Sequence, residues 1–221
     1  MNGPHLQLEV YPDAGAACRM AAQRLAQALA QGGTAALAGG NTPRPAYHLL
    51  AEMELPWPAI TLVPTDERCV PPDHPERNDR MLAEALGDRG YRLVRLPAEL
   101  GPEQGAREAE ALVAPLVPFR VVLLGLGEDG HTASLFPGHP ALEATGLVAP
   151  VRRAPKPPPE RITLTLRALS QTETALLLVT GASKREALRR LLTGDDLPPR
   201  RLTVPTLTIL ADREAADAME A

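Results

Sequence analysis

The sequence predicts an α/β fold: a mostly parallel sheet with helices on both faces, forming a single domain over residues 1–221. Three observations point to it. Short β-like runs alternate with helical ones along most of the chain. The run Phe119 to Leu124 (FRVVLL) is almost continuously apolar, as a central strand covered on both faces must be. Polar or glycine-bearing segments follow several predicted strands, where ligands bind in parallel sheets.

The elements follow in order. Leu6 to Val10 reads as a first strand. Asp13 to Gln31 is Ala-rich, with Leu25 and Leu29 four apart, and reads as a helix ended by Gly32-Gly33. Thr34 to Ala38 is a short apolar strand, Pro43 to Met53 a helix, and Ile60 to Val63 a strand. A helix over Arg77 to Leu86 comes next, then a strand over Tyr91 to Leu96 and a helix over Glu103 to Leu116. Beyond the FRVVLL strand, Ile162 to Leu166 alternates and Ala175 to Val179 has the character of a buried strand. Lys184 to Leu192 is helical, and Thr206 to Leu210 is read as the strand that closes the sheet. Pro155 to Pro159 (PKPPP) reads as a rigid loop within the domain.

Composition narrows the function. A net charge of -4 argues against a general nucleic-acid binder, which is usually basic. It leaves small anions open, because a local cationic pocket can sit on an acidic protein. No run approaches the ~18 apolar residues of a membrane span, and Met1 to Val10 lacks the pattern of a signal peptide. Cys18 and Cys69 have no motif spacing and read as two unrelated thiols in a reducing cytosol. A cytoplasmic monomer or small homo-oligomer acting on a small molecule is expected. Of the 23 basic residues only Lys156 and Lys184 are lysines, so a lysine is an unusual choice here.

Four segments carry candidate chemistry. Gly39-Gly40-Asn41-Thr42-Pro43 turns from strand to helix. The glycines allow close approach of a ligand, Thr42 suits an N-cap and Pro43 the first helical position. Backbone N–H groups at such a helix start form an anion site. Asp66-Glu67-Arg68 puts three ionisable groups at a strand's carboxyl end, which is costly unless they are exposed or paired; the functional reading puts a carboxylate and a guanidinium into a polar cleft. In Gly181-Ala182-Ser183-Lys184 a lysine opposes the dipole of the helix it opens, a cost offset if its ammonium meets an anion.

The fourth segment, Gly125-Leu126-Gly127-Glu128-Asp129-Gly130-His131, contains G-x-G-x-x-G after a strand. A dinucleotide site is rejected. Glu128 and Asp129 would enter a pyrophosphate nest, and Pro137 follows too soon for an uninterrupted helix. Asp129 and His131 read instead as a general-base pair in which the acid orients the ring. His74, His131, His139, Asp66 and Asp129 show no compact metal-ligand spacing, so neither metal nor other cofactor is expected. No G-x-S-x-G elbow is present, and Ser134 lies beyond the glycine turn.

The stretch FRVVLLGLGEDGHTASLFPGHPAL resembles the longest signature of the 6-phosphogluconolactonase family, within the group that includes glucosamine-6-phosphate deaminase. AGGNTPRPAYHLL, TDERCVPPDHPERN, KPPPERITLT and GASK are also similar to family segments and follow in the same order. Two positions depart: Asn41 and Arg77 stand where serine is usual. The resemblance implies a Rossmann-like α/β/α sandwich and metal-independent hydrolysis of 6-phospho-D-glucono-1,5-lactone. It implies His131 as general base with Asp129 beside it, and Gly39, Gly40, Asn41, Thr42, Arg68 and Lys184 around the sugar phosphate. Arg161 is a further phosphate candidate, and Asp66 joins the catalytic candidates as an alternative base. A sugar-phosphate isomerase or deaminase on the same fold, using Asp66 and His131, is one alternative. A non-enzymatic sugar-phosphate sensor is another, though it would not need the Asp129–His131 pair.

Overall fold

The computed structural model describes residues 3–217. The strands are β1 (His5–Tyr11), β2 (Gly33–Leu37), β3 (Ile60–Pro64), β4 (Asp66–Arg68), β5 (Arg92–Leu93), β6 (Phe119–Gly125), β7 (Val148–Val151), β8 (Arg161–Leu164), β9 (Thr172–Val179) and β10 (Thr206–Asp212). The α-helices are α1 (Ala14–Ala28), α2 (Arg44–Ala51), α3 (Asn78–Leu86), α4 (Pro102–Val113), α5 (Leu166–Leu169), α6 (Arg185–Thr193) and α7 (Arg213–Ala216). No helix among the described residues is long and apolar enough to cross a membrane.

Seven strands form one parallel sheet in the order β1-β10-β9-β6-β2-β3-β5. From β2 the chain builds outward through β3 to β5; from β6 it builds the other way through β9. The switch point therefore lies between β2 and β6, the crevice where such sheets hold ligands. Alternation along β6 explains the two-sided core. Val121 and Leu123 pack with α1, α2 and α3, whereas Val122 and Leu124 pack with α4, α6 and the smaller sheet. Each helix adds one apolar stripe; in α1 it is Ala17, Cys18, Ala21, Ala22 and Leu25. Asp13 caps α1 by accepting from Ala16 N at 2.7 Å.

Several expectations need correction. Ile162 to Leu166 is not a strand of the main sheet. Its first residues belong to β8, which pairs antiparallel with β4 and β7 in a separate three-stranded sheet, and Leu166 opens α5. Both β4 and β7 are missed by the sequence reading. They are three and four residues long and their stability comes from distant partners. Glu110 of α4 secures β7 by accepting from Leu147 N at 2.9 Å and Val148 N at 2.8 Å. The strand expected over Tyr91 to Leu96 shrinks to Arg92–Leu93. The strand at Thr206 lies between β1 and β9, so β1 rather than β10 ends the sheet on that side. Thr42 does not cap α2; Pro43 holds the cap position in an αR conformation with no side-chain cap bond.

Candidate active site

A cavity of about 340 Å³ opens at the switch point. Its walls come from the segments after β2, β3, β6 and β9, together with β8 and the loop before it. Gly39 to Thr42, Asp66, Arg68, His131, Arg161 and Lys184 all line it. Gly40 has φ +94, where a side chain would be strained, and a Cβ on Gly39 would overlap the Asn78 carboxamide.

The strand β4 divides its three ionisable groups between two tasks. Glu67 points away from the cavity and is fully buried. Its carboxyl accepts from Arg68 N and Asn78 N, each at 2.8 Å, and from Asp79 N at 2.9 Å. It thereby serves the open amides at the start of α3. Burial pushes its pKa from 4.5 up to about 7, against the downward pull of Asn78 N, the Arg77 charge and Asp79 N. Of the triplet, one carboxylate and the guanidinium, Asp66 and Arg68, thus face the cavity, and Glu67 does not.

Asp66 is 5% exposed and held on several sides. Ser134 Oγ donates to its Oδ2 at 2.5 Å, and Thr65 Oγ1 and Asn78 Nδ2 reach Oδ1 at 3.3 Å. Arg68 and Arg161 face each other across the β4–β8 ladder. Like charges directly opposite are destabilising, and an anion between them would relieve the repulsion. Arg161 directs three donor contacts at the proline-rich loop: Nε to Pro158 O at 3.0 Å, and Nη2 to Lys156 O at 3.0 Å and Pro157 O at 3.1 Å. It clamps that loop as well as lining the cavity. Burial draws its pKa down.

The turn after β6 closes through Gly127 N to His131 O at 2.8 Å and Gly130 N to Gly127 O at 2.9 Å. Gly130 has φ +90, and a Cβ on Gly127 would strike the His131 ring. No helix follows the turn; an isolated bridge joins Thr132 to Leu135. His131 Nδ1 lies 2.5 Å from Asp129 Oδ1, and its ring stacks on Phe136 at 4.6 Å. Burial alone would push the Asp129 pKa up, but the hydrogen bond and charge of His131 hold it well below the usual carboxylate range, helped by the Lys156 charge. An ionised Asp129 accepts a hydrogen bond from Nδ1–H and so keeps the ring proton on Nδ1, which leaves the Nε2 lone pair to act as a base.

Lys184 lines the cavity from the turn before α6, and burial draws its ammonium pKa down. Sequence reasoning missed Lys156 and Ser134, and left open whether Asn78 touches the substrate. Lys156 had one available signal: with Lys184 it completes the lysine inventory of the chain, and both line one cavity. Asn78 had its place at the end of the family-like segment TDERCVPPDHPERN, and Ser134 gave no signal. Among the described residues no group of three or more His, Cys, Asp or Glu side chains is placed to hold a metal ion.

This arrangement has counterparts. A family model described as glucosamine-6-phosphate isomerases/6-phosphogluconolactonase matches residues 13–212. A 6-phosphogluconolactonase of Synechocystis is 37% identical over 218 residues, covering 88% of each chain. One from Caulobacter vibrioides is 38% identical, covering 81% of this chain and 79% of the other. Among solved structures, 6-phosphogluconolactonase from Trypanosoma brucei superposes with a TM-score of 0.86 at 25% identity, covering 99% of this chain and 100% of that one. The enzyme from Thermotoga maritima gives 0.84 at 26%, with 94% and 99% covered. A monomeric glucosamine-6-phosphate deaminase shares the fold, with a TM-score of 0.80 at 24% identity and coverage of 96% and 99%. With sequence motifs, sheet order and pairwise similarity in agreement, the chain belongs to the glucosamine-6-phosphate isomerase/6-phosphogluconolactonase family.

Proposed function

We propose that the chain hydrolyses 6-phospho-D-glucono-1,5-lactone to 6-phospho-D-gluconate, the second step of the oxidative pentose phosphate pathway. The observation that carries this reading is the Asp129–His131 pair, joined at 2.5 Å, whose His131 lines a cavity with Arg68, Lys156, Arg161 and Lys184. A base and a cluster of cations suit a phosphorylated, hydrolysable ester.

A δ-lactone is an activated ester and needs no covalent nucleophile. His131 Nε2 takes a proton from water as the water oxygen bonds to C1. The carbonyl becomes an oxyanion. On collapse the bond from C1 to the ring oxygen breaks, and the His131 imidazolium returns its proton to that oxygen. The new carboxylic acid then ionises to solvent. Asp129 holds the ring and stabilises the imidazolium. Lys184 and the Gly39–Thr42 turn take the 6-phosphate, and Arg68 with Arg161 supplies further positive charge. Asp66, bound by Ser134, Thr65 and Asn78, stands on the same wall as a fixed acceptor.

The deciding experiment measures hydrolysis of the lactone, corrected for its spontaneous reaction, beside deamination of glucosamine-6-phosphate. Lactone hydrolysis without deamination is expected. Deamination exceeding lactone hydrolysis would overturn the assignment and favour Asp66 as a proton-transfer group.

A further inference from the structure

Asn78 opens α3 and is 2% exposed, yet it lines the cavity. Its Nδ2 donates to Asp66 O at 2.7 Å. A backbone carbonyl only accepts, so this bond fixes the amide's orientation: exchanging the two ends would set oxygen against oxygen. The other end, Oδ1, is buried and without a hydrogen-bond partner among the described residues. The carboxamide abuts Gly39, the one residue type that leaves room for it there. A second buried group on the same cavity wall is also unpartnered: Arg68 Nε, whose neighbour Nη1 is spent on Glu76 O at 2.5 Å. Buried polar atoms are almost always paired, and exceptions of this kind occur at ligand sites.

The chemistry of Oδ1 selects its partner. An amide oxygen accepts and cannot donate. On a phosphorylated aldonolactone the ionised phosphate, the ring oxygen and the carbonyl are acceptors too. Only the ring hydroxyls donate. We propose that Asn78 is a specificity-determining residue whose Oδ1 accepts a hydrogen bond from a ring hydroxyl of the sugar, with Arg68 Nε as a donor to a substrate oxygen beside it. The assignment rests on the sugar-lactone reading of the site and deepens it. It explains why a fully buried asparagine follows the wholly structural Arg77: the helix start is built to hold one acceptor still at the cavity wall.

The test uses the product, 6-phosphogluconate, and its 2-, 3- and 4-deoxy analogues, with binding measured by calorimetry on wild type and Asn78→Ala. One analogue should bind wild type about 5–150-fold more weakly than the parent compound, the effect of leaving one buried acceptor unpaired. In Asn78→Ala that ratio should collapse toward one, while the ratios for the other analogues persist. Equal wild-type affinity for the parent and all three analogues would overturn the proposal, as would an unchanged ratio in the variant. Should Asn78→Ala not fold, Asn78→Leu, closer in volume, takes its place with the same readout. Wild-type hydrolysis of the parent lactone is measured alongside. Its absence would sink the lactonase reading, whereas full activity with flat deoxy ratios would sink only the role of Asn78.

Discussion

At the scale of single residues the site divides into a proton-handling half and an anion-holding half, and the two should fail differently. His131→Ala removes the base but leaves the cations in place. kcat should fall by about 10²–10⁴-fold with product affinity largely intact. Near-full kcat after correction for spontaneous hydrolysis would make His131 structural. Asp129→Asn should also lower kcat, because the amide can offer Nδ1 a hydrogen instead of accepting one. Lys184→Ala acts on the other half. Losing a charge-assisted contact of roughly 1.5–3 kcal/mol should raise KM by about 10–150-fold and weaken product inhibition by a similar factor. An unmoved KM and inhibition constant would take Lys184 out of the phosphate site. These groups were legible in the sequence because each sits in a short segment whose own residues announce a turn, a glycine or a misplaced charge. Ser134 was not, and Asn78 was legible only as the end of a family-like segment. Their contacts emerge once β4 and α3 are brought against the turn after β6.

At the scale of elements the departure at Arg77 finds its reason. The side chain is 1% exposed and ion-paired with Asp79 at 2.7 Å, Glu99 at 3.1 Å and Glu67 at 3.5 Å. It also donates to Leu96 O at 2.9 Å. It thus joins β4, the start of α3 and the segment before α4. Arg77→Ser would restore the residue usual in the family but leave buried carboxyls unpaired. Breaking a buried pair from one side costs about 3–5 kcal/mol, so denaturant unfolding should show a loss of that order. A loss within ~0.5 kcal/mol would mean that the network carries no stability. Glu67 adds a pH dependence to the same corner. Its pKa is raised from 4.5 to about 7, so the native state holds the proton more firmly than the unfolded chain. Its contribution is therefore fully present below pH ~4.5 and lost as pH rises through about 7, an effect on the order of 3 kcal/mol. Glu67→Gln, which cannot titrate, should flatten the fall in stability between about pH 5 and 8. An identical slope in wild type and variant would assign that fall to other groups. None of this was readable beforehand. The triplet Asp66-Glu67-Arg68 looks uniformly polar, and only the β4–β8 pairing decides which face each side chain takes.

At the scale of the whole molecule two electrostatic fields compete over an anionic substrate. The chain carries a net charge of -4, which repels it, while Arg68, Lys156, Arg161 and Lys184 attract it at the cavity. The parallel sheet makes that concentration possible: strand ends separated by long stretches of sequence converge at one switch point, and the small antiparallel sheet adds β4 and β8 from the side. Regular alternation made the main sheet legible. The small sheet was hidden because β4 and β7 are only three and four residues long, and the alternation of β8 does not say that it pairs with them rather than with the main sheet. Range decides between the two fields. Charges beyond a Debye length are largely screened, and that length is about 10 Å at 0.1 M salt and about 3 Å at 1 M. At moderate salt the dispersed surface charge is already muted, whereas the cavity cations still act on a substrate entering among them. Raising salt from about 0.1 to 0.5 M should therefore raise KM several-fold and leave kcat nearly constant, since the reacting groups are shielded by the cavity. Lys156→Ala should lower the slope of log KM against log salt, because one attracting charge is gone. A KM that falls with added salt would show that the net charge of the molecule outweighs the cavity, and the clustering of cations would then have to be explained by binding after entry rather than by attraction toward it.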